Sequence, residues 1–280
     1  MIQTFLKKLK VVARAILPPS SIDFLRLVKN AIATSLYRTH VVTHRYGNGV
    51  LRVCIADSLA EGWYDFDWPP LPEIEVLQER YKNKKALIFD LGAHQAVVAL
   101  MLARDVGDLS QLVAVEACPH NVKVARKNCS LNSSQNAEIL HAAVSDTSGS
   151  LLFNRSFNGQ IDDASRRFGS FEVEAVTIDQ LTERYGSPDV LFIDIEGAEH
   201  LALAGAKKTL ESNLDCFIEV HVGYGLEKLG GSIEKILSYF PENCYELLVR
   251  SEEMDSFRPL RAKDELFEDR FFLLALSRSL

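Results

Sequence analysis

Short apolar runs set the texture of the chain from Lys85 onward. Residues 86–90, 112–116, 138–144, 190–194 and 216–220 are each long enough for a strand, and the runs around Asp90, Glu116 and Asp194 end in an acid. Segments of helical pattern separate most of them, at 94–106, 119–132 and 198–212. A run apolar at successive positions suits a strand buried on both faces, and alternation with helices predicts a parallel, doubly wound α/β sheet. Two antiparallel strands, 150–154 and 171–177, are expected to interrupt this order, and 245–249 with 270–275 predict a closing strand pair.

Before residue 85 the pattern differs. Phe5, Leu9, Val12 and Ile16 recur at helical spacing, with Lys7, Lys8, Lys10 and Arg14 mostly off that stripe, so an amphipathic helix is expected over 2–17. Pro18 and Pro19 end it, and Ser20 with Asp23 reads as the cap of a second helix carrying Phe24, Leu27, Val28, Ala31 and Ile32 inward. Residues 41–46 and 50–55 flank Gly47-Asn48-Gly49 as a hairpin, and 63–72 is an aromatic, proline-rich connector. The expected division is a helical and β-hairpin extension over 1–84 and a sheet domain over 85–280.

Composition narrows the class. Residues 1–45 carry eight basic side chains against one acid, whereas the remaining 235 carry 23 against 37. So acidic a body is a poor match to a phosphate backbone, and nucleic acid is not the expected partner. Five widely spaced cysteines without a C-x-x-C pair fit reduced thiols, and a cytoplasmic protein is expected. No apolar run has the ~18 residues of a membrane span, and no cleaved signal peptide is expected. The basic first helix has two open readings: a cover for the body or for a second subunit in a homodimer, or a peripheral contact with an anionic membrane through residues 1–17.

Four places carry chemistry. The run 87–96 leads from a buried strand through Asp90 to a glycine turn at Gly92, then opens a helix, whose unpaired N–H groups and missing glycine side chain let a ligand approach. Glu116 ends the next strand, where an acid accepts hydrogen bonds from the ribose hydroxyls of a nucleoside. Asp194 stands at the end of a third strand, followed by Glu196 and Gly197. On the fourth, period-2 geometry puts Glu219 and His221 on one face beside Asp194. A histidine among carboxylates at a sheet's binding edge is a candidate for proton transfer.

The order and text of these segments resemble the FkbM family of S-adenosylmethionine-dependent methyltransferases. The matching parts are Phe89-Asp90-Leu91-Gly92-Ala93, Val115-Glu116, Ala143-Val144-Ser145-Asp146, Thr177-Ile178-Asp179-Gln180-Leu181, Ile193-Asp194-Ile195-Glu196-Gly197-Ala198-Glu199 and Ile218-Glu219-Val220-His221. The resemblance implies a Rossmann-like, seven-stranded class I sheet, mostly parallel with an antiparallel C-terminal hairpin. It also implies O-methylation of a hydroxyl on a sugar, glycan or secondary metabolite. Four positions depart from the family pattern: His94 stands for a usual asparagine, Ala96 for glycine, Ala117 for proline and Phe192 for lysine.

On this reading Gly92 and Ala93 lie against the methionine part of the cofactor, His94 contacts the cofactor carboxylate or crowds it, and Asp90 orders the turn or reaches the cofactor amine. Glu116 binds the ribose and Asp146 the adenine amino group. His221 is the first choice as general base, oriented by Glu219 or Glu196. Asp194 and Glu196 holding a magnesium ion is the other route, and the sequence leaves both open. Trp63, Tyr64, Phe66 and Trp68 are candidates for a wall against the acceptor, and 155–170, with Arg155, Arg166 and Arg167, for a lid. Two other readings are a catalytically silent binding module of the same fold and a nicotinamide-dependent oxidoreductase.

Overall fold

The computed structural model describes residues 36–108, 110–134, 136–154, 170–212, 214–261 and 267–279. The expected helices over 2–17 and after Ser20, and the arginines at 155, 166 and 167, lie outside the described residues.

Strands β1 (His40–Tyr46) and β2 (Gly49–Ile55) pair antiparallel, and the Tyr46↔Gly49 register leaves Gly47 and Asn48 as a two-residue turn. Gly47 takes φ +60° there, the left-handed backbone such turns require. Helix α1 (Ser58–Tyr64) runs into what the sequence suggests is connector. Seven residues with Gly62 among them make no apolar stripe; the helix is started instead by Asp57, whose carboxylate accepts from the N–H groups of Leu59 and Ala60. Helix α2 (Pro72–Arg80) follows.

The sheet domain then runs β3 (Leu87–Leu91), α3 (Val97–Asp105), β4 (Gln111–Glu116), α4 (Pro119–Leu131), β5 (Ala137–His141), β6 (Ala143–Val144), β7 (Gly149–Asn154), β8 (Ser170–Val176), α5 (Ile178–Tyr185), β9 (Val190–Ile193), α6 (Glu199–Ala204), β10 (Asp215–Val220), α7 (Ile233–Leu237), β11 (Tyr245–Ser251), β12 (Arg258–Pro259) and β13 (Phe271–Ser277). The central sheet has the order β12-β11-β13-β10-β9-β3-β4-β5. Strands β10, β9, β3, β4 and β5 are parallel, and β13 lies antiparallel between β10 and β11. It is the mostly parallel α/β sheet with an antiparallel C-terminal pair that the resemblance implies, with eight strands rather than seven because Arg258 and Pro259 add a two-residue edge to β11. A small second sheet, β6-β8-β7, interrupts the alternation where antiparallel strands are expected. The helix expected over 198–212 is shorter: α6 stops at Ala204, and a separate 3-10 turn covers Thr209–Ser212. Gly205 between them packs so closely that a Cβ would stand 2.3 Å from the carbonyl oxygen of Ser145.

Alternation along each strand sorts the core into two layers. Ile88, Leu112, Ala114, Phe192, Phe217 and Leu274 face the layer shared with the hairpin, α1, α2, α3 and α4. Their neighbours Phe89, Val113, Val115, Leu191, Ile193 and Ile218 face the layer beneath α5, α6 and α7. Both sets are buried, which is why the runs read as continuously apolar. Asn128 of α4 ties the hairpin to this body, since its side chain accepts from Cys54 N (2.8 Å) and donates to Gln95 O (2.8 Å). Sheet order reverses between β3 and β9, so a crevice opens beyond the carboxyl ends of β3, β4 and β9.

Candidate active site

A cavity of about 500 Å³ fills that crevice, within the range of small-molecule sites. Its floor is the turn after β3. Gly92 (φ +96°) has no room for a side chain, because a Cβ would stand 1.8 Å from the backbone oxygen of Asp194. The glycine is therefore required by the neighbouring strand end as well as by any ligand. Gly92 N and Ala93 N both donate to Val115 O, at 2.9 and 3.1 Å, and His94 N donates to Glu116 Oε2 at 2.8 Å. These three turn amides are thus spent inside the fold. Ala96 adopts φ +63°, so alanine at this glycine position carries a left-handed backbone in addition to its methyl group.

Two buried acids stand at this turn. Burial and the nearby Glu116 charge push Asp90 up to about 7, and among the described residues its Oδ2 has no hydrogen-bond partner. Burial likewise raises Glu116 to about 7 against the hydrogen bonds it accepts from Cys118 N (2.7 Å), Asn121 Nδ2 (3.4 Å) and His94 N. Oε1 already accepts twice, so Oε2, which accepts from His94 N, is the oxygen that keeps a further lone pair for a ligand hydroxyl. Asp146 is not brought to the cavity. It is exposed and hydrogen bonds to its neighbours Ser145 and Thr147; the wall beside Glu116 is instead apolar, from Ala117, Ala142, Ala143, Val144 and Phe153.

The opposite wall comes from the extension. Trp63, Tyr64, Phe66 and Trp68 all line the cavity, and Phe66 is half exposed at 49%. His94 (φ +47°) is held against them: its Nδ1 is 2.8 Å from Tyr64 OH and its ring centroid 5.1 Å from that of Trp63. This wall is locked by a residue the sequence reading missed. Asp57 Oδ2 takes Gln95 Nε2 and His120 Nε2, each at 2.8 Å, while Oδ1 caps α1. Burial alone would raise Asp57, yet these partners pull it down to about 2. An acid directly before a short helix is the cap signal that identifies it.

The third side gathers His221, Asp194, Glu196 and Glu219 as expected, and adds two residues. Glu199, at the start of α6, accepts from His221 Nδ1 and from Gly197 N, each at 2.7 Å. The orienting partner is thus Glu199 rather than Glu219 or Glu196, whose oxygens stand 3.7 Å from Nε2 on the other side of the ring. Arg270 donates to Glu219 Oε1 at 2.8 Å and also pairs with Glu252. Burial opposes charge on His221, but the hydrogen bond and charge of Glu199, with Asp194 and Glu219, outweigh it and raise the ring to about 9. Enclosure and the Glu219 charge raise Asp194 well above the carboxylate range, and enclosure raises Glu196 despite His221. Asp194, Glu196 and Arg270 line the cavity; His221 lies behind them, 2% exposed. Phe192 stacks on Phe217 with centroids 4.1 Å apart, so an aromatic core contact occupies the position where the family pattern has lysine.

The methyltransferase FkbM domain model matches residues 90–247, a span that holds Asp90, Glu116, Asp194, Glu196, Glu199, Glu219 and His221. This chain belongs to the FkbM methyltransferase family. Among solved structures, a methyltransferase FkbM from Methylobacillus flagellatus KT is similar at 17% identity and a TM-score of 0.45, over 68% of this chain and 43% of that one. The chain thus spans less than half the length of that protein. A precorrin-6y C5,15-methyltransferase from Geobacter metallireducens GS-15 is similar at 12% identity and a TM-score of 0.41, over 72% and 86%. A TehB-like SAM-dependent methyltransferase from Corynebacterium glutamicum gives 12% and 0.42, over 75% and 90%. No curated protein matches the sequence. Among the described residues no helix is long and apolar enough to cross a membrane.

The family implies S-adenosylmethionine, and the residues present fit it. A cationic ligand suits the unpartnered, buried Oδ2 of Asp90, and Glu116 retains acceptor capacity one strand away.

Proposed function

We propose that this protein transfers a methyl group from S-adenosylmethionine to a hydroxyl of a sugar, glycan or secondary metabolite. One observation supports it most: a single cavity holds a partnerless buried carboxylate on its floor, a carboxylate–imidazole cluster on one side and four aromatic residues on another. Asp90 would hold the cationic end of the cofactor, Glu116 its ribose, and the apolar wall from Ala142 to Val144 with Phe153 its adenine. When bound, S-adenosylmethionine supplies a methyl group on a positively charged sulfur.

The chain's own work is alignment and proton removal. Flat faces of Trp63, Phe66 and Trp68 suit stacking against an acceptor such as a sugar ring. An alcohol attacks better as its proton leaves, and Glu196 is placed to take that proton because it lines the cavity, whereas His221 does not. Fixing both reactants in an enclosed site supplies up to roughly 7–11 kcal/mol of the barrier.

A labelled-methyl assay over a panel of glycans and small alcohols tests the proposal. Transfer to at least one hydroxyl is expected, with kcat lowered about 10²–10⁴-fold in Glu196→Gln. S-adenosylhomocysteine should bind that variant as it binds the unmodified protein. Absence of binding by both S-adenosylmethionine and S-adenosylhomocysteine would overturn the reading.

A further inference from the structure

The gap in front of His221 is the unexplained feature of the site. Glu199 accepts from both His221 Nδ1 and Gly197 N, so Nδ1 carries a proton whatever the ring's charge, and Nε2 points forward, where a cation can take the place of the second proton. Forward of Nε2 stand three carboxylate oxygens at nearly one distance: Glu196 Oε2 and Glu219 Oε1 at 3.7 Å, and Asp194 Oδ1 at 3.8 Å.

Those distances are too long for hydrogen bonds. A charged imidazole donating to one of the carboxylates would draw it to about 2.8 Å. Donor atoms that each lie about 2.1 Å from one ion stand about 3–4 Å apart, as Nε2 does from each of these oxygens. One ligand atom each from Asp194, Glu219 and His221 lies within 4.8 Å of the others.

Partners that hold the ligating side chains in position are also in place. A carboxylate behind a ligating histidine fixes its tautomer and orientation, and Glu199 does this from a fully buried position. Arg270 takes Glu219 Oε1 at 2.8 Å and steadies that carboxylate from the cavity side.

We propose that Asp194, Glu219 and His221 bind a divalent cation at the edge of the cavity, with Glu199 as the positioning residue behind the histidine. One imidazole with carboxylates suits Mn²⁺, Fe²⁺ or Zn²⁺ better than Mg²⁺ or Ca²⁺, which prefer all-oxygen sites. Asp194 lines the cavity, so the ion has an open side toward an entering oxygen. This last role rests on the methyl-transfer reading. An acceptor hydroxyl bound there becomes more acidic, and its proton passes to the Glu196 carboxylate, which is not needed as a ligand.

Manganese titration of chelator-stripped, full-length protein, followed by loss of the free Mn²⁺ electron-paramagnetic signal, tests the site. One ion per chain is expected. Binding should weaken at least ten-fold in Asp194→Asn and in Glu219→Gln, and 10–100-fold in Glu199→Gln. Glu252→Gln, which touches the cluster only through Arg270, should bind as before, and circular dichroism melts show which variants are folded. No binding at millimolar Mn²⁺, or equal binding by folded Asp194→Asn and Glu219→Gln, would overturn the proposal. Displacement of Mn²⁺ by Mg²⁺ as readily as by Zn²⁺ would overturn the choice of ion. Calorimetry with S-adenosylhomocysteine in the absence of metal reports on the cofactor reading separately, so the two failures are distinguishable.

Discussion

Gly92 and Asp194 are in backbone contact: a Cβ on the first would stand 1.8 Å from the carbonyl oxygen of the second. Asp194 N in turn donates to Leu91 O at 2.9 Å. The glycine turn and the carboxylate cluster are therefore set by one shared contact between the ends of β3 and β9. Gly92→Ala adds both the clash and an unfavourable φ of +96°, and should destabilise the protein by about 3 kcal/mol or more. Urea unfolding measures this; a loss under about 1 kcal/mol would show that the contact yields readily.

With the proposed cofactor placement, Asp90 and Glu116 would make cofactor affinity depend on pH. Both are raised to about 7 in the fold. A raised acid keeps a proton that the unfolded chain releases near pH 4, so this contribution to stability is full below about pH 4 and is lost as pH rises through about 7. Ligand binding has the opposite sign, since a cation prefers the ionised pair. Affinity for S-adenosylmethionine should rise about ten-fold from about pH 6 to about pH 8, and Asp90→Asn should flatten the profile. Calorimetry at the two pH values checks it, and a flat profile in the unmodified protein would contradict it.

Asp57 contributes with the reverse sign. Its carboxyl is held down at about 2 by His120, Ala60 N and Gln95. That stabilisation, about 2 kcal/mol, is present above about pH 4 and fades as pH falls through 2. Asp57→Ala should lose it together with the α1 cap and lower the melting temperature at neutral pH. If the variant melts like the unmodified protein, the lock between the aromatic wall and the Gln95 turn is not a source of stability.

Phe66 is half exposed at the cavity wall, with ring centroids 6.5 Å from Trp68. Phe66→Ala removes a stacking face without emptying the core. Once an acceptor is known, its KM should rise about ten-fold while S-adenosylhomocysteine binding stays unchanged. An unchanged KM would place the acceptor elsewhere.

Local patterning determined much of this protein from sequence alone. Continuous apolar runs implied strands buried on both faces, and acids at their ends marked Asp90, Glu116 and Asp194 at one edge of the sheet. Period 2 brought Glu219 and His221 together, because that spacing is a property of the strand itself. What the tertiary structure decided depends on groups far apart in sequence. Glu199 and His221 meet across 22 positions, Asp57 and His120 across 63, and Arg270 reaches Glu219 from the position just before β13. Whether loop amides face a ligand or Val115 O, and whether Asp146 enters the cavity, follow from how strands and turns pack. No local period encodes those contacts, because each partner's own neighbourhood is satisfied with or without the other.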